Sequence, residues 1–102
     1  MFKAIILLKR NIDATHHEFK EWWIDQHAPL ARQLPGLIKA TFNLVDAEGR
    51  SYYDGVSELW FESRTDFEDA YASEIGKQVV ADSEAHVCER IRLLCQEYPV
   101  KE

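Results

Sequence analysis

His27 is the side chain best suited to chemistry in this sequence. It lies in the run WWIDQHAPL at positions 22–30, whose apolar spacing predicts a buried helix. Burying an imidazole among tryptophan and leucine side chains costs free energy unless a partner or a function compensates. Histidine also changes charge near neutral pH. We therefore interpret His27 as a general acid and base that faces a cavity, with a structural histidine bonded to a backbone carbonyl as the alternative.

Pro29 should alter the backbone around His27. A proline has no N–H, so the carbonyl of Asp25 loses its helical donor. We expect a kink or a loosened turn here that exposes His27 toward the cavity. Asp25 lies two positions from His27 and therefore on another side of the helix, which makes it a poor orienting partner.

Glu58 is the second candidate catalytic residue. It sits between two apolar residues on one face of a predicted strand, because side chains two positions apart share a face. An unpaired carboxyl group that is desolvated there would have a raised pKa, and it could pair with His27 or bind a substrate hydroxyl. The alternative, which the pattern favours slightly, is a salt bridge to Arg90 or Arg92, or an exposed barrel end.

The predicted substrate-binding residues are Trp23, Tyr53, Trp60 and Arg90. The aromatic members could form the walls of an apolar pocket, and the alternative is ordinary core or dimer interface. We prefer core for Trp23 and cavity for Trp60. His86 and Cys88 are two possible metal ligands, whereas a closed site needs about four, so the sequence predicts no metal and no cofactor.

The elements that position these residues follow a β-α-β-β-α-β order. Strands are predicted over 2–9, 37–45, 56–61 and 87–97, with one helix from Thr15 to Leu34 and a second from Ser63, which breaks near Ser73 before a short helical piece. This order is typical of the α+β ferredoxin-like fold, an antiparallel four-stranded sheet with helices on one face. A chain of 102 residues forms a single domain, 1–102.

Counting the faces of this sheet predicts a homodimer. Two helices cover only one face, whereas the first strand is apolar on both faces and the third places Val56 and Trp60 opposite Leu59 and Phe61. A second copy of the sheet is the simplest cover for the remaining face. We expect a cavity between the two sheets, lined in part by Trp60 and Glu58.

Composition excludes several other classes of protein. The net charge is −6 with acids and bases interspersed, which argues against nucleic-acid binding. No apolar run approaches the roughly 20 residues that span a membrane. Cys88 and Cys95 are seven residues apart on one predicted strand, about 23 Å at strand spacing, so they cannot pair with each other. Two unpaired thiols fit a reducing compartment, and we expect a cytoplasmic protein.

Three segments of the chain resemble EthD-domain proteins of the dimeric α/β-barrel superfamily. They are Trp23-x-x-x-His27-Ala28-Pro29-Leu30-Ala31, Leu34-Pro35-Gly36-Leu37 and Asp54-Gly55-Val56-Ser57-Glu58-Leu59-Trp60-Phe61. The resemblance implies a dimeric barrel with a small hydrophobic or aromatic substrate in its cavity. It also implies a role for His27, which matches an active-site histidine in relatives of the muconolactone methylisomerase type.

The resemblance leaves three functions open. The first is acid/base catalysis of the isomerase, cyclase or dehydratase type in a degradative or secondary-metabolic pathway. The second is a non-catalytic accessory or binding protein of ether or aromatic degradation. The third is a cofactor-independent monooxygenase or other oxidoreductase on the same fold. The resemblance implies that haem-degrading relatives of this barrel have a ligand histidine on the second helix. This chain has no histidine there before His86, which counts against haem degradation.

Overall fold

Four strands and two helical regions alternate in the predicted order. The computed structural model describes all 102 residues and has strands β1 (Phe2–Arg10), β2 (Lys39–Leu44), β3 (Gly55–Phe61) and β4 (Val87–Gln96). The first helical region comprises α1 (His16–Glu21), a π-helical turn (Trp22–His27) and α2 (Ala28–Ala31), and the second comprises α3 (Arg64–Ala72) and α4 (Glu74–His86). A 3-10 turn, Ala47–Gly49, lies between β2 and β3. The α+β ferredoxin-like fold is therefore confirmed.

The sheet has the strand order β2-β3-β1-β4, and every neighbouring pair is antiparallel. Ala4, Ile6 and Leu8 of β1 are buried beneath the helices, which defines the covered face. Alternate residues point to the other side, the open face. Strand pairing places these residues there: Lys3, Ile5, Leu7, Lys9, Lys39, Thr41, Asn43, Val56, Glu58, Trp60, Glu89, Ile91, Leu93 and Cys95.

The helices begin at the residues that the capping pattern predicts. Thr15 and Glu18 form a reciprocal capping box at α1, and Ser63 caps α3 through the N–H of Asp66. The break at Ser73 is also present, because Ser73 caps a new helix. This helix is longer than expected, since α4 spans 13 residues rather than one short piece. The first helical region is shorter than expected and ends at Ala31.

The loosened turn before Pro29 is a π-helix. The N–H of Ala28 donates to the carbonyl of Trp23, five residues earlier, instead of to the usual carbonyl four residues earlier. Pro29 lies directly after this turn and has no N–H to restore α-helical pairing. The turn carries His27 at its last position, where the predicted change of backbone geometry is therefore confirmed.

Trp23 is the centre of the core. Its side chain has no exposed surface, and it stacks on Phe42 with ring centres 4.5 Å apart. A Cβ atom at Gly55 would lie only 2.7 Å from the indole of Trp23, so glycine is required where this ring meets β3. The core alternative for Trp23 is therefore correct. None of the helices combines the length and the apolar character that crossing a membrane requires.

Candidate functional site

A histidine–carboxylate pair lies between the helices and the sheet. His27, at the end of the π-helical turn, is only 4% exposed, and its Nδ1 is 2.8 Å from Oδ2 of Asp82 on α4. A carboxylate accepts hydrogen bonds, so the proton of the neutral imidazole resides on Nδ1. The lone pair of the imidazole is therefore on Nε2, which lies 3.3 Å from the hydroxyl of Ser83.

Two aromatic side chains, Trp22 and His86, contact Asp82. The indole N–H of Trp22 donates to the same Oδ2 at 3.2 Å. His86 stacks on Trp22 with ring centres 4.6 Å apart and donates from Nδ1 to the backbone carbonyl of Asp82 at 2.8 Å. Asp82 is the partly exposed member of the pair. Trp22 and His86 therefore support the pair on its solvent side.

Burial determines the protonation state of His27. Removal from water lowers the pKa of the imidazole below its ordinary value of 6.5, and the nearby Arg90 guanidinium lowers it further. The hydrogen bond that Nδ1 donates to Asp82, together with the negative charge of that carboxylate, opposes this shift without cancelling it. His27 is therefore neutral at pH 7, and its unprotonated Nε2 accepts a hydrogen bond from the Ser83 hydroxyl.

The ring of His27 lines a small cavity, which we call the chamber. All four strands and both helical regions contribute to its lining: Ile6, Leu8, His27, Ala31, Phe42, Ser57, Leu59, Tyr71, Val79, Ser83 and Arg90. Its volume is about 10 Å³, which is about the space that one water molecule needs. The lining is apolar except for a few convergent polar groups, the usual composition of a small-molecule site.

Arg90 and Tyr71 bring unpaired hydrogen-bonding groups to the chamber. Nε and Nη2 of Arg90 and the hydroxyl of Tyr71 are buried without a hydrogen-bond partner. Burial lowers the pKa of Arg90 and raises that of Tyr71, and the guanidinium partly offsets the rise at the phenol. Arginine stays charged in proteins even so, so the chamber contains a cation that has no hydrogen-bonded counter-ion.

An apolar groove adjoins the chamber at the edge of β2. It has a volume of about 380 Å³ and is lined by Ile24, Ala28, Ala31, Arg32, Leu37, Ile38, Lys39, Ala40 and Phe42. Ala31 and Phe42 line both spaces, so these two side chains form the partition between them. The volume is within the usual range for small-ligand sites.

The structure brings together only part of the predicted site. His27 and Arg90 line the chamber, and Trp23 stacks behind Phe42 at its edge. Glu58 and Trp60 lie on the open face. Tyr53 lies in the loop before β3 and lines a separate polar pocket with Lys9, Arg10 and Asp54 among others.

The expectation that His27 reaches a cavity between two sheets is wrong. The ring lies on the covered face, below the helices, because the helix that carries it packs there. Glu58 is on the other side of the sheet and cannot pair with His27. The cavity that the ring does reach is the chamber.

Glu58 also has a different ion-pair partner from the ones expected. Its carboxylate lies 2.6 Å from Nζ of Lys3 and accepts from the amide of Asn43 at 3.0 Å. These bonds lower the pKa of Glu58 rather than raising it. A bridge to Arg90 or Arg92 is excluded by register, because both arginines pair opposite covered-face residues of β1.

Sequence reasoning missed Asp82, Ser83 and Tyr71. Asp82 lies 55 residues from His27 in the chain, so no local spacing connects them. One signal was available: Ser83 follows Gly76 and Val79 on the buried side of α4, and a hydroxyl in an apolar stripe needs a partner.

The fold is that of small ferredoxin-like α+β proteins, and in this chain a buried histidine–carboxylate pair lies beneath the helices. The EthD domain matches residues 12–87, which is more than half of the chain. The protein therefore belongs to the EthD-domain family, as the sequence resemblance indicated. No protein with a curated description matches it in sequence.

Solved structures show the same fold at low sequence identity. An ethyl tert-butyl ether degradation (EthD) family protein from Bacillus halodurans is 22% identical, with a TM-score of 0.79 over 96% of this chain and 99% of that one. A dimeric ferredoxin-like protein of unknown function from Thermobifida fusca is 16% identical, with a TM-score of 0.76 over 92% and 88%. SnoaB, a cofactor-independent oxygenase from Streptomyces nogalater, is 14% identical, with a TM-score of 0.74 over 99% and 97%.

Proposed function

We propose that this protein binds a small apolar or aromatic molecule and transfers a proton within it, in an isomerisation, cyclisation or dehydration. The observation that supports this proposal is the ring of His27, which lines a largely apolar chamber while Asp82 accepts from its Nδ1 at 2.8 Å. An orienting carboxylate of this kind keeps the imidazole in the tautomer that can act as a base. A positioned acid or base of this type contributes about 10²- to 10⁴-fold in rate.

The ring nitrogens have separate roles in this proposal. Nε2 exchanges its contact with the Ser83 hydroxyl for the bound molecule and accepts a proton from it, and the resulting imidazolium is stabilised by the carboxylate of Asp82. The same Nε2 then returns the proton to another atom of the intermediate, which makes the reaction an internal proton transfer. Neither step requires a metal or an organic cofactor, because His27 alone supplies and removes the proton.

The apolar groove accounts for the size of the substrate. The chamber itself has room for little more than a water molecule, whereas the groove beside it has a volume of about 380 Å³. We propose that the body of the substrate occupies the groove and that Phe42 turns aside, so that the reacting end reaches His27.

We further propose that the protein is a homodimer joined through the open face. Leu93 on that face is 45% exposed, and Ile5 and Leu7 lie beside it in register. A contiguous apolar patch on an uncovered sheet is typical of an interaction surface. Proteins of the same fold from Thermobifida fusca and Bacteroides fragilis are described as dimeric.

The test of catalysis compares His27→Ala with His17→Ala. His17 has a 76% exposed side chain on α1 and lies outside the chamber, so it controls for loss of a histidine. Both variants are checked for folding and then assayed with lactones and phenolic compounds, following deuterium uptake from solvent. We expect His27→Ala to lose about 10²- to 10⁴-fold in rate and His17→Ala to lose nothing. Equal rates in His27→Ala and the unmodified protein would contradict the proposal.

The same screen tests the accessory function. Ligand binding without turnover in the unmodified protein and in both variants would indicate a binding protein rather than an enzyme.

The test of the dimer compares Leu93→Asp with Leu94→Asp. These neighbours have similar exposure, 45% and 39%, but lie on opposite faces of β4. Sedimentation velocity should show monomers for Leu93→Asp and dimers for Leu94→Asp. A monomeric unmodified protein at micromolar concentration would contradict the homodimer.

The likeness to SnoaB favours a second candidate function, cofactor-independent oxygenation. A base in an apolar chamber suits this chemistry too, because a deprotonated phenol is more readily oxidised than the neutral molecule. An oxygen electrode separates the two candidates, since oxygen is consumed in the oxygenation and not in the isomerisation, cyclisation or dehydration.

A further inference from the structure

Arg90 is the least satisfied charged side chain of the protein interior. Its Nε and Nη2 atoms are buried and have no acceptor, and it takes part in no ion pair. The hydroxyl of Tyr71, which lines the same cavity, is also buried without a partner. The phenol and the guanidinium contact each other, and this contact affects the pKa of both groups. Apart from it, these three atoms lie at one cavity without a hydrogen-bond partner.

Such an arrangement destabilises the folded chain. A buried donor without an acceptor loses its bonds to water and gains nothing in return, and an unpaired buried charge is more costly still. The carboxylates of α4 do not compensate: Asp82 is bonded to His27 and Trp22, and Glu84 forms no ion pair with Arg90. An unpaired buried polar group in a folded protein calls for an explanation, and a catalytic role or a bound partner is one such explanation.

We propose that Arg90 and Tyr71 form an oxyanion site for the substrate of His27. The substrate class is then a phenol or an enolisable carbonyl compound, whose oxygen becomes negatively charged when a proton is removed. An O–H or C–H bond breaks, the proton forms an N–H bond at Nε2 of His27, and the electron pair resides on the oxygen. The guanidinium and the phenol O–H donate to that oxygen.

This arrangement assigns separate tasks to the two sides of the chamber. The helices supply the base, from the π-helical turn, and the sheet supplies the cation, from β4. Donors that are already oriented in an apolar cavity stabilise a developing negative charge strongly, because no solvent has to reorganise. The inference rests on the proposed function in naming His27 as the base, but the anion site can be measured without turnover.

The probe is 4-nitrophenol, whose phenolate has its own visible absorbance. The site should favour the phenolate, so the bound probe should ionise at a lower pH than the free probe. Arg90→Gln should weaken phenolate binding about 10- to 100-fold. Binding of 4-nitroanisole, a neutral analogue, should not change.

The matched control is Arg64→Gln. Arg64 lies on α3 with a 64% exposed side chain and loses the same charge on substitution, so it should leave phenolate binding as it is. Arg90→Met should raise the thermal midpoint, because it removes the unpaired charge. A structural role for Arg90 predicts the opposite, a lower midpoint with unchanged ionisation of the probe.

Three results would overturn the oxyanion site. One is equal phenolate affinity in Arg90→Gln and the unmodified protein. Another is a bound probe that ionises at the same pH as the free one. The third concerns Phe42→Ala, which joins the groove to the chamber. If the unmodified protein does not admit the probe, Phe42→Ala should bind the phenolate. Failure of Phe42→Ala to bind it overturns the proposal.

The outcomes for His27 are independent of this test. Loss of turnover in His27→Ala without phenolate binding would keep the proposed function and reject the anion site. Phenolate binding with no effect of His27→Ala on turnover would keep the anion site and reject the proposed function.

Discussion

The open and covered faces of the sheet carry similar side chains in different states of pairing. On the open face, Glu58 is 2.6 Å from Lys3. Trp60 lies between Lys3 and Lys39, each 4.7 Å from its ring, and donates to Glu97 at 3.0 Å. No side chain of the open face has a buried polar atom that lacks a partner. The charged groups of the open face therefore already pair with one another.

The covered face differs in what it leaves unsatisfied. His27 has the carboxylate of Asp82 at Nδ1 and the hydroxyl of Ser83 at Nε2, and its ring lines the chamber. Arg90 and Tyr71 line the same chamber with buried polar atoms that lack a partner. Residue type alone therefore does not identify a site. A carboxylate, an aromatic ring and a cation are present on both faces. Only the covered face has buried polar atoms without a hydrogen-bond partner, which a ligand could supply.

The largest expected difference between the faces is in stability. Trp23→Ala removes a fully buried ring and should lower the free energy of unfolding by about 3–5 kcal/mol. Trp60→Ala removes a half-buried ring with cation–π contacts and should cost about 1–2 kcal/mol. Urea denaturation of both variants gives the two values. A cost at Trp60 equal to that at Trp23 would mean that the open face is as deeply buried as the core, and would point to a partner subunit over Trp60.

A smaller effect should separate the two carboxylates. Asp82→Asn removes a charge-assisted hydrogen bond to His27, worth about 1.5–3 kcal/mol, and should lower kcat/KM about 10- to 100-fold. Because Asp82 raises the pKa of His27, the acidic limb of the pH–rate profile should move to lower pH. Glu58→Gln should change neither kcat/KM nor the pH–rate profile. A loss of activity in Glu58→Gln with an unchanged profile in Asp82→Asn would restore the role that the sequence predicted for Glu58.

The smallest expected effect is in the pH dependence of stability. Burial holds the pKa of His27 below its ordinary value of 6.5, so near that pH the unfolded chain binds more protons than the folded one. The free energy of unfolding therefore falls as the pH drops from 6.5 toward the folded-state pKa of His27. His27→Gln should remove this part of the fall.

His17→Gln is the control for this measurement, since His17 is exposed and is not in the chamber. Thermal unfolding of both variants at a series of pH values from about 8 to about 5 gives the slopes. Equal slopes in His27→Gln and the unmodified protein would show that burial does not hold His27 neutral.

Local signals in the sequence were sufficient for most of the fold. The Thr15 and Ser63 caps depend on residues three positions away, and the π-helical turn depends on the missing N–H of Pro29, so each could be recognised in the printed sequence. The EthD motifs likewise lie in short segments. The length of α4 could not be recognised, because Asp82 and Ser83 interrupt its apolar pattern.

The site was much less predictable, and β4 shows why. Alternation along Arg90, Ile91, Arg92 and Leu93 suggests that the aliphatic residues face the core. The structure has the reverse arrangement: the arginines face the helices, and Ile91 and Leu93 lie on the open face. A pattern of period two gives the two sets of residues but not the face that each set occupies.

The sequence by itself determined the order of the elements, the caps, the altered turn at His27 and the family. These depend on the φ/ψ preferences and hydrogen bonds of residues close together in the chain. Only the tertiary structure decided that Asp82 and Ser83 would meet His27, that Arg90 would point toward the chamber and that Glu58 would pair with Lys3. Those contacts join residues 55 or more positions apart, and the packing of helices on a sheet in one register creates them.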